Sequence, residues 1–291
     1  MNIFKSLVLK AVNSMGYGVY KIGNKTDIDL YYSLFSKEDV DSKNFFNIGA
    51  GTFKHLAWTN VDYYSDWYKD NIIGISYDLF KQKPLPIEDC SANVVYSSHT
   101  IEHISDEAAQ NMFNEAYRVL KVGGIIRITT PDIDLCYRSV TNNDRYFWKE
   151  MIKSYSMSKE MSNSNISKPM KDVSLKQIFL FNFASQMSEL TNEENPRKID
   201  DAEIDRIFTE MPFQEALNHI KDMCSLELQK KYTVNHINWW NGDKLVRMLR
   251  VAGFNDVYLS GHGQSALPIL RNTVIFDNTC PYLSIYVEAR K

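Results

Sequence analysis

Residues 45–53 read Phe45-Phe46-Asn47-Ile48-Gly49-Ala50-Gly51-Thr52-Phe53, and the fold turns on this stretch. Phe45, Phe46 and Ile48 suit a short buried strand, which Gly49 and Gly51 then punctuate. Without a Cβ, glycine lets the backbone turn sharply and come close to a ligand. A Gly-x-Gly behind a strand serves nucleotide folds of several kinds and ordinary strand-to-loop turns alike, so the flanking sequence has to decide.

Downstream, Thr59-Asn60-Val61-Asp62 reads as a brief strand ending in a carboxylate, and Ile72 to Tyr77 as a third that ends on Asp78. After the Pro84-Leu85-Pro86 turn, Ala92 to Ser98 forms a fourth strand. Asp106 to Leu120 is apolar at Ala109, Met112, Phe113, Ala116, Tyr117 and Leu120, the spacing of an amphipathic helix. Val122-Gly123-Gly124 is expected to end that helix. Ile125 to Thr130 is a fifth strand, stopped by Pro131. Upstream, Asp27 to Lys43 reads as helix and loop, and Met1 to Tyr20 as a short amphipathic helix. Lys5, Lys10 and Asn13 interrupt its apolar run, so neither a membrane span nor a signal peptide is expected.

The alternation breaks over residues 139–235, which are rich in Asn, Ser, Lys and Met and show no convincing strand. Helices are expected at Asp144 to Ser156, Lys176 to Ser188, Asp201 to Phe208 and Phe213 to Leu228, with a polar loop at Ser158 to Lys168. The pattern resumes with a helix at Asn241 to Ala252, closed at Gly253, and strands at Asp256 to Leu259 and Ser284 to Ala289. The expected fold is α/β, a Rossmann-like doubly wound sheet, mostly parallel with an antiparallel last strand, plus a helical insert acting as a cap. Three units follow: an N-terminal helical segment at 1–44, a sheet domain at 45–138 and 236–291, and the insert at 139–235.

The 291 residues are 44% hydrophobic and 24% charged with a net charge of −3, ordinary for a globular protein. That balance, without a Lys/Arg-rich stripe, disfavours nucleic acid as partner. Cys90, Cys136, Cys224 and Cys280 include no C-x-x-C pair, so reduced thiols in a cytoplasmic setting are expected rather than a disulfide framework or zinc site.

Taken together, residues 45–137 and 236–291 resemble a class I S-adenosyl-L-methionine (SAM)-dependent methyltransferase of the type 11 kind. Asn47-Ile48-Gly49-Ala50-Gly51 is similar to the family's acidic-x-Gly-x-Gly loop, and Asp62 and Asp78 stand at the second and third strand ends. His99-Thr100-Ile101-Glu102-His103, followed by Glu115-Ala116-Tyr117-Arg118-Val119-Leu120-Lys121-Val122-Gly123-Gly124, resembles the family's most specific block. The resemblance implies SAM as cofactor, held by Asn47, Gly49, Ala50, Gly51, Asp62, Asp78, Leu79, Ser98 and His99. Asp62 would take the ribose hydroxyls and Asp78 the adenine amino group, while Leu79 lies beside the ring. Asn47 stands where an acid is usual, and Phe53 in place of a frequent third glycine, a change expected to narrow the pocket. Asn93 replaces a frequent Asp before the fourth strand.

Methyl transfer needs alignment and, for hydroxyl acceptors, a base. His99, His103 and His262 are the candidates, with Ser98, Asp132 and Tyr137 near the same strand ends. The ordinary alternative for His103 is packing and capping. The four-residue spacing of His99 and His103 hints at a metal, but the sequence offers no third ligand, and none is expected. Trp239 and Trp240 are expected in the core. The acceptor is expected to be a small molecule or a sugar-nucleotide or glycan-type metabolite, methylated at oxygen. Pro131-Asp132-Ile133-Asp134 and Tyr286-Val287-Glu288-Ala289 resemble predicted methyltransferases of bacterial surface-polysaccharide gene sets. N-methylation of a small amine and a non-catalytic binding protein are the alternatives, and a homodimer is a compatible assembly.

Overall fold

The computed structural model describes residues 12, 14, 15, 27–64, 73–157, 166–192 and 197–291. Most of the Met1 to Tyr20 helix, the start of the third strand at Ile72 and most of the Ser158 to Lys168 loop lie outside them. The described strands are β1 (Phe45–Ile48), β2 (Trp58–Asp62), β3 (Ile75–Ser76), β4 (Ala92–Ser98), β5 (Leu120–Pro131), β6 (Asp256–Leu259) and β7 (Ser284–Arg290). They form one sheet in the order β3-β2-β1-β4-β5-β7-β6. β7 is antiparallel to both neighbours; the other pairings are parallel, so six carboxyl ends share one edge.

Every residue of β1 is buried, as an interior strand covered on both faces requires. Phe46 and Ile48 face a core shared with the helices Asp106–Val119 and Gly242–Val251. Phe45 faces the opposite core of Tyr31, Trp58, Tyr96 and Phe276. A third core, built on Trp148, Phe179, Leu180, Leu217 and Ile220 and including Trp239, belongs mostly to the insert. Trp239 and Trp240 are both buried, as expected.

Three sequence expectations need correction. The helix from Asp106 ends at Val119, because Leu120 is already extended. The Gly123-Gly124 pair instead lies within β5, where the β4–β5 register shifts. The expected Phe213 to Leu228 helix is two helices, Phe213–Lys221 and Leu226–Lys231, since the Ser225 side chain accepts from Leu228 N–H and starts a new one. The expected Lys176 to Ser188 helix stops at Phe181, where Asn182 turns its side chain back to donate to Ile178 O.

The Glu115/Arg118 pair works as a clamp. Arg118 donates to Leu85 O and Ile87 O, both at 2.9 Å, and Glu115 accepts from Leu85 N–H at 2.6 Å. Together they hold the loop behind β3 against the helix.

The sheet's far side carries a buried ion network. Arg127 donates to Asp277 at 3.0 Å and to Glu288 at 2.7 Å, and all three side chains are fully buried. Removing the cation strands two desolvated carboxylates. Arg127→Met is therefore expected to lower unfolding free energy by about 3–5 kcal/mol in denaturant titration; a loss under ~1 kcal/mol would show that the carboxylates find other compensation.

The chain returns from the insert through residues 235–241, which are stitched to the 102–106 turn. Ile237 N–H and Asn238 N–H both donate to Glu102 O, at 2.9 and 3.1 Å. The Asn238 amide donates to Ile104 O and to Asp106. Lys244, buried at 3% exposure, pairs with Asp106 at 2.7 Å and lies over the Trp239 and Trp240 rings. Burial would raise the Asp106 pKa, but the Lys244 and Lys221 charges outweigh it and hold it at about 2. A carboxyl held below its ordinary 3.8 stabilises the fold fully above that value, and its contribution is lost as pH falls through about 2. Asp106→Asn should thus be less stable at pH 7 and should lack part of the acid-destabilisation slope seen below pH 3.8; an unaltered slope in acid-denaturation curves would displace Asp106 from this role.

Candidate active site

Behind β1 the chain turns through Gly49 and Gly51, both with left-handed φ, +70° and +52°. A Cβ on Gly49 would lie 2.2 Å from Thr100 Oγ1, so the loop after β4 packs directly on this glycine. A Cβ on Gly51 would meet nothing within 4 Å among the described residues. It would project into a cavity of about 680 Å³ that Gly51 lines, a volume suited to a cofactor-sized ligand. Gly51 N–H donates to Asp62 Oδ2 at 2.7 Å, and Tyr63 N–H to Asp62 Oδ1 at 2.8 Å. The carboxylate ending β2 is thereby fixed beside the glycine turn of the neighbouring strand. Burial raises its pKa, against the pull of those two N–H groups.

The cavity has three walls. The sheet edge contributes Gly49 to Thr52, Asp62, Tyr63, Tyr77, Leu79 and Phe80. The insert contributes Glu150, Met151, Ser154, Tyr155 and Asn182, and the approach to β7 contributes Thr279 to Leu283. The loop after β4 adds His99, Glu102 and His103. His99 has φ +51°, an uncommon conformation for a side chain of its size and one that clusters at functional sites. Its Nε2 lies 2.8 Å from Ser284 Oγ, and its Nδ1 lies 3.1 Å from Glu102 Oε1.

Glu102 is 1% exposed. Thr130 Oγ1 donates to its Oε2 at 3.0 Å, while Oε1 has no aligned hydrogen-bond donor. Burial works to raise its pKa, but His99 and the neighbouring His103 and His236 hold it at about 2. His103 Nδ1 is 3.0 Å from Asn235 O, and His236 Nδ1 is 2.9 Å from Asn182 O. A carbonyl only accepts, so both rings carry their proton on Nδ1. The two rings meet edge to face with centroids 4.7 Å apart. Burial, and then the charge of His103, lowers the His236 pKa to about 4.

Of the residues singled out from sequence, Gly49, Ala50, Gly51, Asp62, Leu79, Ser98, His99 and His103 line this one cavity. Asp78 does not; its carboxylate accepts from Phe80 N–H at 3.0 Å and caps the turn Leu79–Lys81. Asn47 is buried outside the lining, with its Oδ1 unpartnered. Phe53 leaves the pocket unnarrowed, because its ring packs on Trp58 and Phe276 in the opposite core. Asp132 caps the helix Ile133–Thr141, and Tyr137 stacks among Phe179, Phe208 and Phe213.

His262 is exposed and lines no part of the cavity. It follows β6, the sheet edge, which β5 and β7 separate from β4, a lateral distance of roughly 14 Å. Sequence reading gave no role to Glu102 or His236. Glu102 was legible as part of the Glu-His doublet, but His236 lies 133 positions beyond His103 and joins it only through the folded insert.

Residues 59–128 match the family model described as a methyltransferase domain. Comparison with curated proteins finds no match. Solved structures similar to the chain include a SAM-dependent methyltransferase from Thermotoga maritima, at 13% identity and TM-score 0.38, covering 99% of this chain and 98% of that one. Another, from Archaeoglobus fulgidus, has 12% identity and TM-score 0.38 over 85% of each chain. A third, from Mesorhizobium loti, has 13% identity and TM-score 0.35 over 91% of this chain and 96% of that one. The residues present suit SAM: a side-chain-free cradle at Gly51, a fixed carboxylate at Asp62 for ribose hydroxyls, and apolar Leu79 and Phe80 beyond it. The matched segment supplies most of β2 through β5 of this sheet, so this part of the chain is similar to a methyltransferase domain, set within a Rossmann-like fold.

Proposed function

We propose that this chain is a SAM-dependent methyltransferase that acts on a small or sugar-bearing acceptor at oxygen, inside the cavity roofed by residues 139–235. One observation carries the reading: the buried Glu102 and the half-buried His99, His103 and His236 line the same cavity as the glycine cradle. A hydroxyl must shed its proton as it is methylated, which an amine arriving neutral does not require, so a dense imidazole–carboxylate group favours oxygen.

The cradle residues Gly49, Ala50, Gly51, Asp62, Leu79 and Ser98 hold the cofactor in this reading, and SAM supplies the transferable methyl. Asp78 contributes from the rim through the turn that it caps. His99 and His103 are the candidates to face the acceptor. The insert selects the acceptor through Glu150, Ser154, Tyr155 and Asn182, polar residues that line the cavity and suit a hydroxyl-rich ligand. Residues 45–138 and 236–291 thus form the catalytic domain and 139–235 the cap. Surface-polysaccharide precursors are one source of such acceptors, and a cytoplasmic location fits them.

Two measurements test these roles. Asp62→Ala should weaken binding of SAM and of its demethylated product by about 1.5–3 kcal/mol in calorimetry, the worth of hydrogen bonds to a charged group; unchanged affinity would remove Asp62 from the cofactor site. Glu102→Gln should leave SAM affinity intact while lowering kcat on the order of 10²-fold. Methyl transfer from labelled SAM to hydroxylated sugar acceptors and to amines, with the product linkage read by NMR, decides between oxygen and nitrogen; methylation confined to amines overturns the oxygen reading.

A further inference from the structure

The Glu102 group holds an arrangement that methyl transfer does not by itself explain. Glu102, His103 and His236 each place one donor atom within 4.8 Å of the other two. Both histidines direct Nδ1–H at a main-chain carbonyl, His103 to Asn235 O and His236 to Asn182 O. That leaves Nε2, with its lone pair, as the nitrogen each ring has to offer. Such outer hydrogen bonds are what orient an imidazole for metal ligation and fix its tautomer.

Thr130 takes up Glu102 Oε2. Oε1 is buried with no aligned donor, although His99 Nδ1 stands 3.1 Å away. All three residues line the cavity, so an ion there keeps coordination positions open to it.

From these contacts we infer that Glu102, His103 and His236 form a site for a divalent first-row transition-metal ion, with its open positions facing the acceptor pocket. Two imidazoles and one carboxylate are donors for a borderline ion such as Zn²⁺ rather than for Mg²⁺, which prefers oxygen. The site deepens the oxygen-methylation reading, since an acceptor oxygen bound there is held and acidified, and its consequence for acceptor choice rests on that reading. The binding of the ion does not.

The test uses the full chain, stripped with a chelator and free of SAM and acceptor, titrated calorimetrically with ZnCl₂ and separately with MgCl₂. One equivalent of Zn²⁺ is expected to bind, Mg²⁺ much more weakly, and Zn²⁺ should raise the melting temperature. Glu102→Gln and His236→Gln should each weaken Zn²⁺ by about 100-fold or more, beyond the 10–100-fold typical of losing an outer-shell partner. Binding of demethylated SAM serves as the folding control. If Glu102→Gln does not fold, His103→Gln and the melting shift of the unaltered chain decide.

Two results overturn the site. One is no Zn²⁺ binding by the unaltered chain. The other is binding that survives the substitutions, which puts the ion elsewhere, on thiols such as the exposed Cys90. Failure of the oxygen-methylation reading shows only in the product linkage, so the two are separable.

Discussion

Glu102 is the residue on which the two halves of the chain meet. Its main-chain oxygen receives Ile237 N–H and Asn238 N–H, so the segment leaving the insert is tied to the loop leaving β4. Its carboxylate is the buried charge around which His99, His103 and His236 gather. A buried carboxylate is costly unless neighbours compensate it, and compensation here draws on residues far apart in sequence. The position of the return segment and the chemistry of the cavity are therefore one constraint. The Lys244–Asp106 pair and the Asn238 amide brace the same junction from the helix side.

The division between sheet and insert follows from that junction. Three hydrophobic cores coexist: one on each face of the sheet, and one that the insert builds largely from its own aromatic residues. Ile133, Trp239 and Leu283 carry the insert's core down to the sheet domain, at the points where the chain leaves β5, returns to the last helix and enters β7. An insert with its own core can vary in its cavity-facing residues without disturbing the glycine turn and Asp62, which come from β1, β2 and the loops behind them.

How much was legible in the sequence depended on distance along the chain. The sheet and its order of elements follow from local alternation, and Ala92 to Ser98 and Asp256 to Leu259 coincide with β4 and β6. Gly51 and Asp62 were readable as separate signals because each closes a strand, although only the parallel β1–β2 pairing shows that one bonds the other. Within the insert, side chains of Ser225 and Asn182 end or restart helices, and periodicity does not resolve such local competition. His236 was unreadable for a different reason: its relation to His103 exists only after the whole insert has folded. His262 failed in the opposite way, since a strand-end position was recognisable but its place at the sheet edge was not.

The non-catalytic alternative rested on two departures from the family pattern, Asn47 and Phe53, and their placement bears on it. Asn47 lies in the interior of β1, outside the cavity lining, so the missing charge removes nothing from the wall itself. Phe53 turns into the aromatic core with Trp58 and Phe276; the Gly51 cradle stays open although a large ring follows two residues later. Two changes that read as losses along the sequence are thus packing choices of the opposite face. Meanwhile the cavity is lined by His99, at φ +51°, and by Glu102, whose buried carboxylate the surrounding imidazoles compensate, so the wall keeps an acid–base group beside the open glycine turn.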